Sequence, residues 1–107
     1  MEDKFTYIND LFGFYGTLLS QRQQEIIQYY YGEDLSLSEI ADNLKISRNA
    51  VFDALKKAED RLVELEDHLH LFRDYQFRMD RYSKLMESGD DEIKKIAEEL
   101  IRNEEDQ

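Results

Sequence analysis

The sequence contains no cysteine, no proline and no tryptophan. Without cysteine there is no disulfide framework, no thiolate zinc site and no thiol nucleophile. Without proline, and with only four glycines in 107 residues, strong chain breakers are scarce. β-turns draw heavily on Gly, Pro and Asn, so this scarcity argues for helices. No apolar run approaches the roughly 20 residues that span a bilayer. The start, Met1-Glu2-Asp3-Lys4, lacks the basic and then apolar run of a signal peptide. A cytoplasmic chain with no membrane insertion is expected. Basic charge is also in short supply, and the net charge is −11.

What is present is a hydrophobic pattern at helical spacing. Phe5, Ile8, Phe12, Tyr15 and Leu19, widened by Leu11 and Leu18, predict a helix from about Lys4 to Leu19. Gly13 and Gly16 within it would let another helix approach closely. Ser20-Gln21-Arg22-Gln23 is a capping box, a helix start in which the Ser hydroxyl and the Gln side chain bond reciprocally to backbone N–H groups. Ile26, Ile27 and Tyr30 then point inward, and Gly32 is the expected left-handed cap. The run Tyr29-Tyr30-Tyr31 reads as helix packing.

Ser36-Leu37-Ser38-Glu39 is a second capping box, followed by Ile40, Ala41 and Leu44 on one face. Lys45-Ile46 makes a turn, and Ser47 is a third cap. The segment Leu37 to Ala58 therefore reads as a helix-turn-helix. Ala41 is small where the second helix crosses, Ile46 plugs the turn, and Val51 and Leu55 lock the second helix down. Such a unit offers the leading face of its second helix to a major groove. With Val51 inward, Asn49, Asp53, Lys56 and Lys57 point outward, Phe52 lies on the flank and Arg48 in the first turn. The candidate nucleic-acid contacts are Ser47, Arg48, Asn49, Phe52, Lys56 and Lys57. Arg48, Lys56 and Lys57 would meet phosphates, Asn49 a base edge and Phe52 a thymine methyl, with Ser47 offering its hydroxyl to the backbone. Asp53 opposes phosphate, and ion pairs Lys56–Asp60 and Lys57–Asp53 are expected at helical spacing.

Charge follows the same geography. Residues 1–35 carry −4, residues 36–58 carry +1 and residues 59–107 carry −8. A nucleic-acid footprint is basic, and only the middle stretch escapes the acidic bias. With so few cations, binding to DNA or RNA should be weak and salt-dependent.

After Ser47 no Gly appears until Gly89. Val51, Leu55, Ala58, Leu62, Leu65, Leu69 and Phe72 alternate steps of four and three, a heptad pattern, and Tyr75, Tyr82 and Met86 form a neighbouring stripe. One long helix to the low seventies or mid-eighties is the simplest reading, with a bend near Asp67 to His70 left open. Its stripe must be covered, either by the first helix or by a second chain in a homodimer through Leu62, Leu65, Leu69 and Phe72, while Glu59, Asp60, Glu64, Glu66 and Asp67 would keep its other face solvated. Phe72, Tyr75 and Phe77 beside Arg73 and Arg78 read as packing or a dimer seam before a base-stacking platform. Ser88 to Asp91 breaks the chain. Ile93, Ile96, Ala97, Leu100 and Ile101 predict a last helix, with a fraying polar tail from Asn103 to Gln107. The expected organisation is a single all-α domain over 1–107, with a helix-turn-helix core at 20–58, an extension at 59–87 and a short helix at 90–103.

Nothing assembles a catalytic or metal site. His68 and His70, two apart on a helix, face different directions. The carboxylates follow helix faces, no Gly-rich phosphate loop is present, and no Ser has a His partner. The chain reads as a non-enzyme without a cofactor.

Ser20 to Glu66 resembles region 4 of sigma factors. With Tyr7-Ile8-Asn9-Asp10-Leu11-Phe12-Gly13-Phe14-Tyr15 before it, the chain resembles the YlxM family of small bacterial proteins over about residues 7–86. The strings that carry the likeness are Asp34-Leu35-Ser36-Leu37-Ser38-Glu39-Ile40-Ala41-Asp42 and Ile46-Ser47-Arg48-Asn49-Ala50-Val51-Phe52-Asp53. The family commonly has Gln, Tyr and Asn where this chain has Asn49, Phe52 and Ala54, changes that remove polar atoms or shorten a side chain on the contact surface. The resemblance implies a DNA-binding regulatory protein acting in the signal recognition particle pathway. The acidic surface supports an alternative, an adaptor that docks on the particle's GTPase or its RNA complex through residues such as Glu64, Glu66 and Asp67.

Overall fold

The computed structural model describes residues 3–106. Met1, Glu2 and Gln107, the outermost residues of the polar ends noted above, lie outside them. Among the described residues the structure is all helix and turn, without a strand. Six α-helices follow in order: α1 (Lys4–Tyr15), α2 (Gln21–Ile27), α3 (Leu37–Leu44), α4 (Arg48–Leu69), α5 (Leu71–Met86) and α6 (Asp91–Glu105). A 3-10 turn (Gly16–Leu18) follows α1, and a π-helical turn (Gln28–Gly32) follows α2. The chain divides into two compact units, the first ending at His70 and the second beginning at Leu71. The division expected after residue 58 falls inside α4.

In the first unit α1, α2 and α3 pack on α4. Ile8, Leu11, Tyr15 and Leu19 turn inward, whereas Leu18 is exposed. The helix closes early because the chain tightens into the 3-10 turn at Gly16. Gly13 and Gly16 do not receive another helix. Gly13 faces open space, and a Cβ at Gly16 would meet the Phe12 ring at 2.9 Å.

All three predicted serine caps form. Ser20 and Ser36 close reciprocal boxes with Gln23 and Glu39, and the Ser47 hydroxyl accepts from the Ala50 N–H at 3.0 Å. The Ser36 bonds hold the Glu39 carboxyl below its ordinary range. Asp3 caps α1 in the same way, accepting from the Thr6 N–H at 2.8 Å, and that bond lowers its carboxyl likewise.

Two turns differ from expectation. After Ile27 the ladder widens, with the Glu33 N–H donating to the Gln28 carbonyl at 2.9 Å. A wide turn holds one residue more than an α turn, so Tyr31 faces the core where Tyr30 was expected. Gly32 ends this turn, and the left-handed residue is Asp34, at φ 56°. The second difference is His70, left-handed at φ 58°, which ends α4 and separates it from α5. The single long helix is therefore two.

Of the two covers expected for the α4 stripe, the first helix is the one observed, since α1 packs on α4. Leu62, Leu65 and Phe72 are buried, and only Leu69 is exposed. Two carboxylates expected on the wet face of α4 are also inside. Glu59 and Glu66 are buried, and each is met by a tyrosine. The Tyr31 hydroxyl donates to Glu59, and the Tyr15 hydroxyl donates to Glu66 at 2.5 Å. Lys4 Nζ lies 3.3 Å from Glu59. Burial, reinforced by the Glu59 carboxylate, pushes the Tyr31 hydroxyl well above its ordinary value.

The second unit is a helical hairpin of α5 and α6. Asp90 caps α6 by accepting from the Glu92 and Ile93 N–H groups. Residues 103–105 are helical instead of frayed, and Glu104 binds Arg78 at 2.8 Å and 3.3 Å. Phe77, expected to pack, is 67% exposed.

Candidate nucleic-acid interface

Three local facts aim the start of α4. The first is the turn before it. Lys45 occupies the left-handed region at φ 58°, ψ 45°, the conformation for which glycine is preferred. The turn keeps its usual shape with a residue that bears a Cβ, and the Lys45 and Ile46 N–H groups both close onto the Ala41 carbonyl. The second is the cap at Ser47, which satisfies a backbone donor at the end that would meet a ligand. The third is the buried contact beneath. Ile40, Ala41, Val51 and Leu55 are all buried, as a crossed pair of short helices requires, and Ile46 is half-buried.

This packing leaves the opposite face of α4 in solvent. Arg48, Asn49, Phe52, Asp53, Lys56 and Lys57 are all exposed, as is the cap Ser47. Phe52 is 54% exposed, an unusual state for a large aromatic in so small a core. Every residue singled out as a contact therefore lies on the accessible side of the helix, and none is recruited into the interior. Lys56 Nζ sits 3.4 Å from Asp60, the ion pair expected. The companion pair between Lys57 and Asp53 does not form among the described residues, so Lys57 extends unengaged.

Beside this face lies a depression lined by Lys4, Tyr30, Leu37, Phe52, Leu55, Lys56 and Glu59. Tyr30 reaches it because the wide turn after α2 rotates Tyr31 inward and leaves Tyr30 beside it, ring centroids 5.0 Å apart. Sequence reasoning placed the tyrosine run in the packing but missed that it would split between core and surface. A one-residue widening leaves no composition signal, so nothing in the sequence marked it.

The helix start, the turn and the buried crossing together hold one face of α4 toward solvent. The side chains offered are a guanidinium, an amide, an aromatic ring and two ammonium groups, which suit phosphates, base edges and methyl groups. The exposed Asp53 in their midst restricts how closely a polyanion can approach that part of the helix.

Comparison with known proteins bears on the same segment. Residues 2–103 match the UPF0122 family, described as "Putative helix-turn-helix protein, YlxM / p13 like". A UPF0122 protein of Caldanaerobacter subterraneus subsp. tengcongensis is 46% identical over 87 residues, covering 81% of this chain and 74% of its own length. A UPF0122 protein of a Thermoanaerobacter species is 40% identical over 110 residues, covering 95% and 94%. A UPF0122 protein of Lactococcus lactis subsp. cremoris is 44% identical over 84 residues, covering 78% and 76%.

Proposed function

Because the chain belongs to the UPF0122 family of YlxM / p13-like helix-turn-helix proteins, we propose that it is a regulatory protein that binds nucleic acid through the start of α4. The signal recognition particle pathway is where this regulation acts. The observation that carries the reading is the exposure of Arg48, Asn49, Phe52, Lys56 and Lys57 together on one face of a capped helix, with Val51 and Leu55 buried behind them.

Roles follow from chemistry. Arg48 in the first turn and Lys57 further along contact phosphates. Lys56 does so once it releases Asp60, an exposed pair that holds it only weakly. Asn49 offers both a donor and an acceptor to a base edge, and Phe52 supplies apolar contact to a thymine methyl. The Ser47 hydroxyl is committed to its cap, so its contribution is to keep the helix start formed.

Fluorescence anisotropy with labelled duplex DNA and with the particle's RNA, at about 50 mM salt where phosphate contacts are strongest, tests this reading. Arg48→Ala combined with Lys56→Ala should weaken binding to all sequences alike. Absence of binding to both nucleic acids overturns the proposal.

A second reading, the acidic adaptor, draws on the net charge of −11 and on the exposed Asp53 within the presenting face. Its docking surface on α4 would consist of Glu64 and Asp67, since Glu66 is bonded inside. Co-purification with a basic protein, lost on neutralising Glu64 and Asp67, would favour it.

A further inference from the structure

The depression beside the start of α4 has a volume of about 330 Å³, at the low end of the ~300–1,000 Å³ of small-ligand sites. Four elements of the first unit meet there. Phe52, Leu55, Lys56 and Glu59, at steps of three and four, share one side of α4. Lys4 comes from the start of α1, Tyr30 from the wide turn and Leu37 from the start of α3. Two aromatic rings and two leucines therefore supply its apolar lining.

Charge is arranged by depth. The Glu59 side chain is 9% exposed, whereas those of Lys4 and Lys56 are 68% and 60% exposed. Lys4 Nζ and the Tyr31 hydroxyl both serve the Glu59 carboxylate, so the inner part is already matched and attracts no anion. Lys56 stands at the rim, in an exposed pair with Asp60 that holds it only weakly. On the far side of Tyr30 a second depression is lined by Phe5, Asp34, Leu35, Ser36 and Glu39. Its two carboxylates repel a polyanion, which leaves the α4 side of Tyr30 as the approach.

An occupant suited to the first depression is flat and uncharged where it enters and negative where it meets Lys56. A nucleotide with its base inward and its phosphate outward has that form. A continuous duplex keeps its bases paired and stacked. Bulges and loops release them, and released bases stack on aromatic side chains. Phe52 and Lys56 belong both to the depression and to the face that carries Arg48, Asn49 and Lys57, so a strand held by that face lies beside the opening.

We infer, resting on the nucleic-acid reading above, that this depression takes one unpaired base. The preferred target is then a duplex interrupted by a bulge or loop, with Tyr30 and Phe52 meeting the released base and Lys56 its phosphate.

Fluorescence anisotropy of the full chain tests this with three stems of one sequence, made as RNA and as DNA. One is continuous, one carries a single unpaired adenosine, and one carries an abasic residue at that position. The unpaired base should tighten binding ~10-fold over both other stems. Equal affinity for the bulged and continuous stems overturns this inference and leaves the nucleic-acid reading standing. Equal affinity for the bulged and abasic stems also overturns it, because the backbone's flexibility is then what is recognised. Binding to none of them overturns both. Tyr30→Leu, with helicity checked by circular dichroism, should erase the preference for the bulge, and a preference left intact overturns the inference. Should that variant lose its helices, photocrosslinking of the unaltered chain decides. Iodouridine at the unpaired position should attach to Tyr30 or Phe52, and attachment only at other residues overturns the inference.

Discussion

At the residue scale the two tyrosine–glutamate pairs carry the clearest energetic stakes. Glu59 is 7% exposed and Glu66 6%, and a buried carboxylate needs hydrogen bonds to remain tolerable. Tyr31→Phe removes the donor to Glu59 and, among the described residues, leaves Lys4 facing it. A bond to a charged group is worth about 1.5–3 kcal/mol, so urea denaturation should show a loss in that range. Titration sets a further expectation at each end of the pH scale. The Tyr31 hydroxyl is raised above its ordinary value of 10.0, so its contribution is whole below that value and is lost as pH climbs beyond it. The Asp3 and Glu39 carboxyls are lowered by their cap bonds. Their contribution is present at neutral pH and is lost as pH falls below the usual carboxylate range. Thermal melts from pH 3 to 11 should decline at both ends, and Tyr31→Phe should flatten the alkaline decline selectively. The position of these glutamates was legible and their partners were not. Glu59 and Glu66 follow Leu55 and Leu62 by four residues, so helical spacing places them beside the buried stripe and leaves Asp60, Glu64 and Asp67 outside, but composition does not reveal that Tyr31 and Tyr15 meet them.

At the element scale the helix starts were legible and some of the stops were not. Ser20, Ser36 and Ser47 announce helices because a hydroxyl three residues before an N–H is a local geometry, needing no tertiary information. Ser47→Ala should cost about 1 kcal/mol and, by fraying the start of α4, should weaken nucleic-acid binding beyond what the lost hydroxyl alone would. The break at His70 was left open by the sequence because the heptad spacing runs unchanged from Leu65 through Leu69 to Phe72 and no glycine marks the spot. Lys45 and His70 both hold left-handed backbone with a side chain attached. An L-residue gives up roughly 1–2 kcal/mol there, partly offset in glycine by its floppier unfolded chain. Lys45→Gly should therefore raise stability by up to ~1 kcal/mol, read as a higher urea midpoint at an unchanged slope.

At the scale of the whole molecule, charge governs what the presenting face can do. Three cations, Arg48, Lys56 and Lys57, stand on a chain of net −11. If all three reach phosphates, the logarithm of affinity should fall with the logarithm of salt at a slope near −3. A slope well beyond that would mean a larger footprint than the start of α4, and a flat one would point to a protein partner. The position of the presenting face was legible from Ile40, Val51 and Leu55. The depression beside it was not, because Tyr30 reaches it through the wide turn after α2. Tyr31 on Glu59 and Tyr15 on Glu66 pin α4 at two points along its length. A helix held by two such bolts cannot roll about its axis without stranding a carboxylate. If α4 reads nucleic acid as proposed, retuning it is then a matter of changing the lettering at positions 48, 49, 52 and 53 on a shaft whose angle is locked, which would make this scaffold a natural host for grafted recognition sequences.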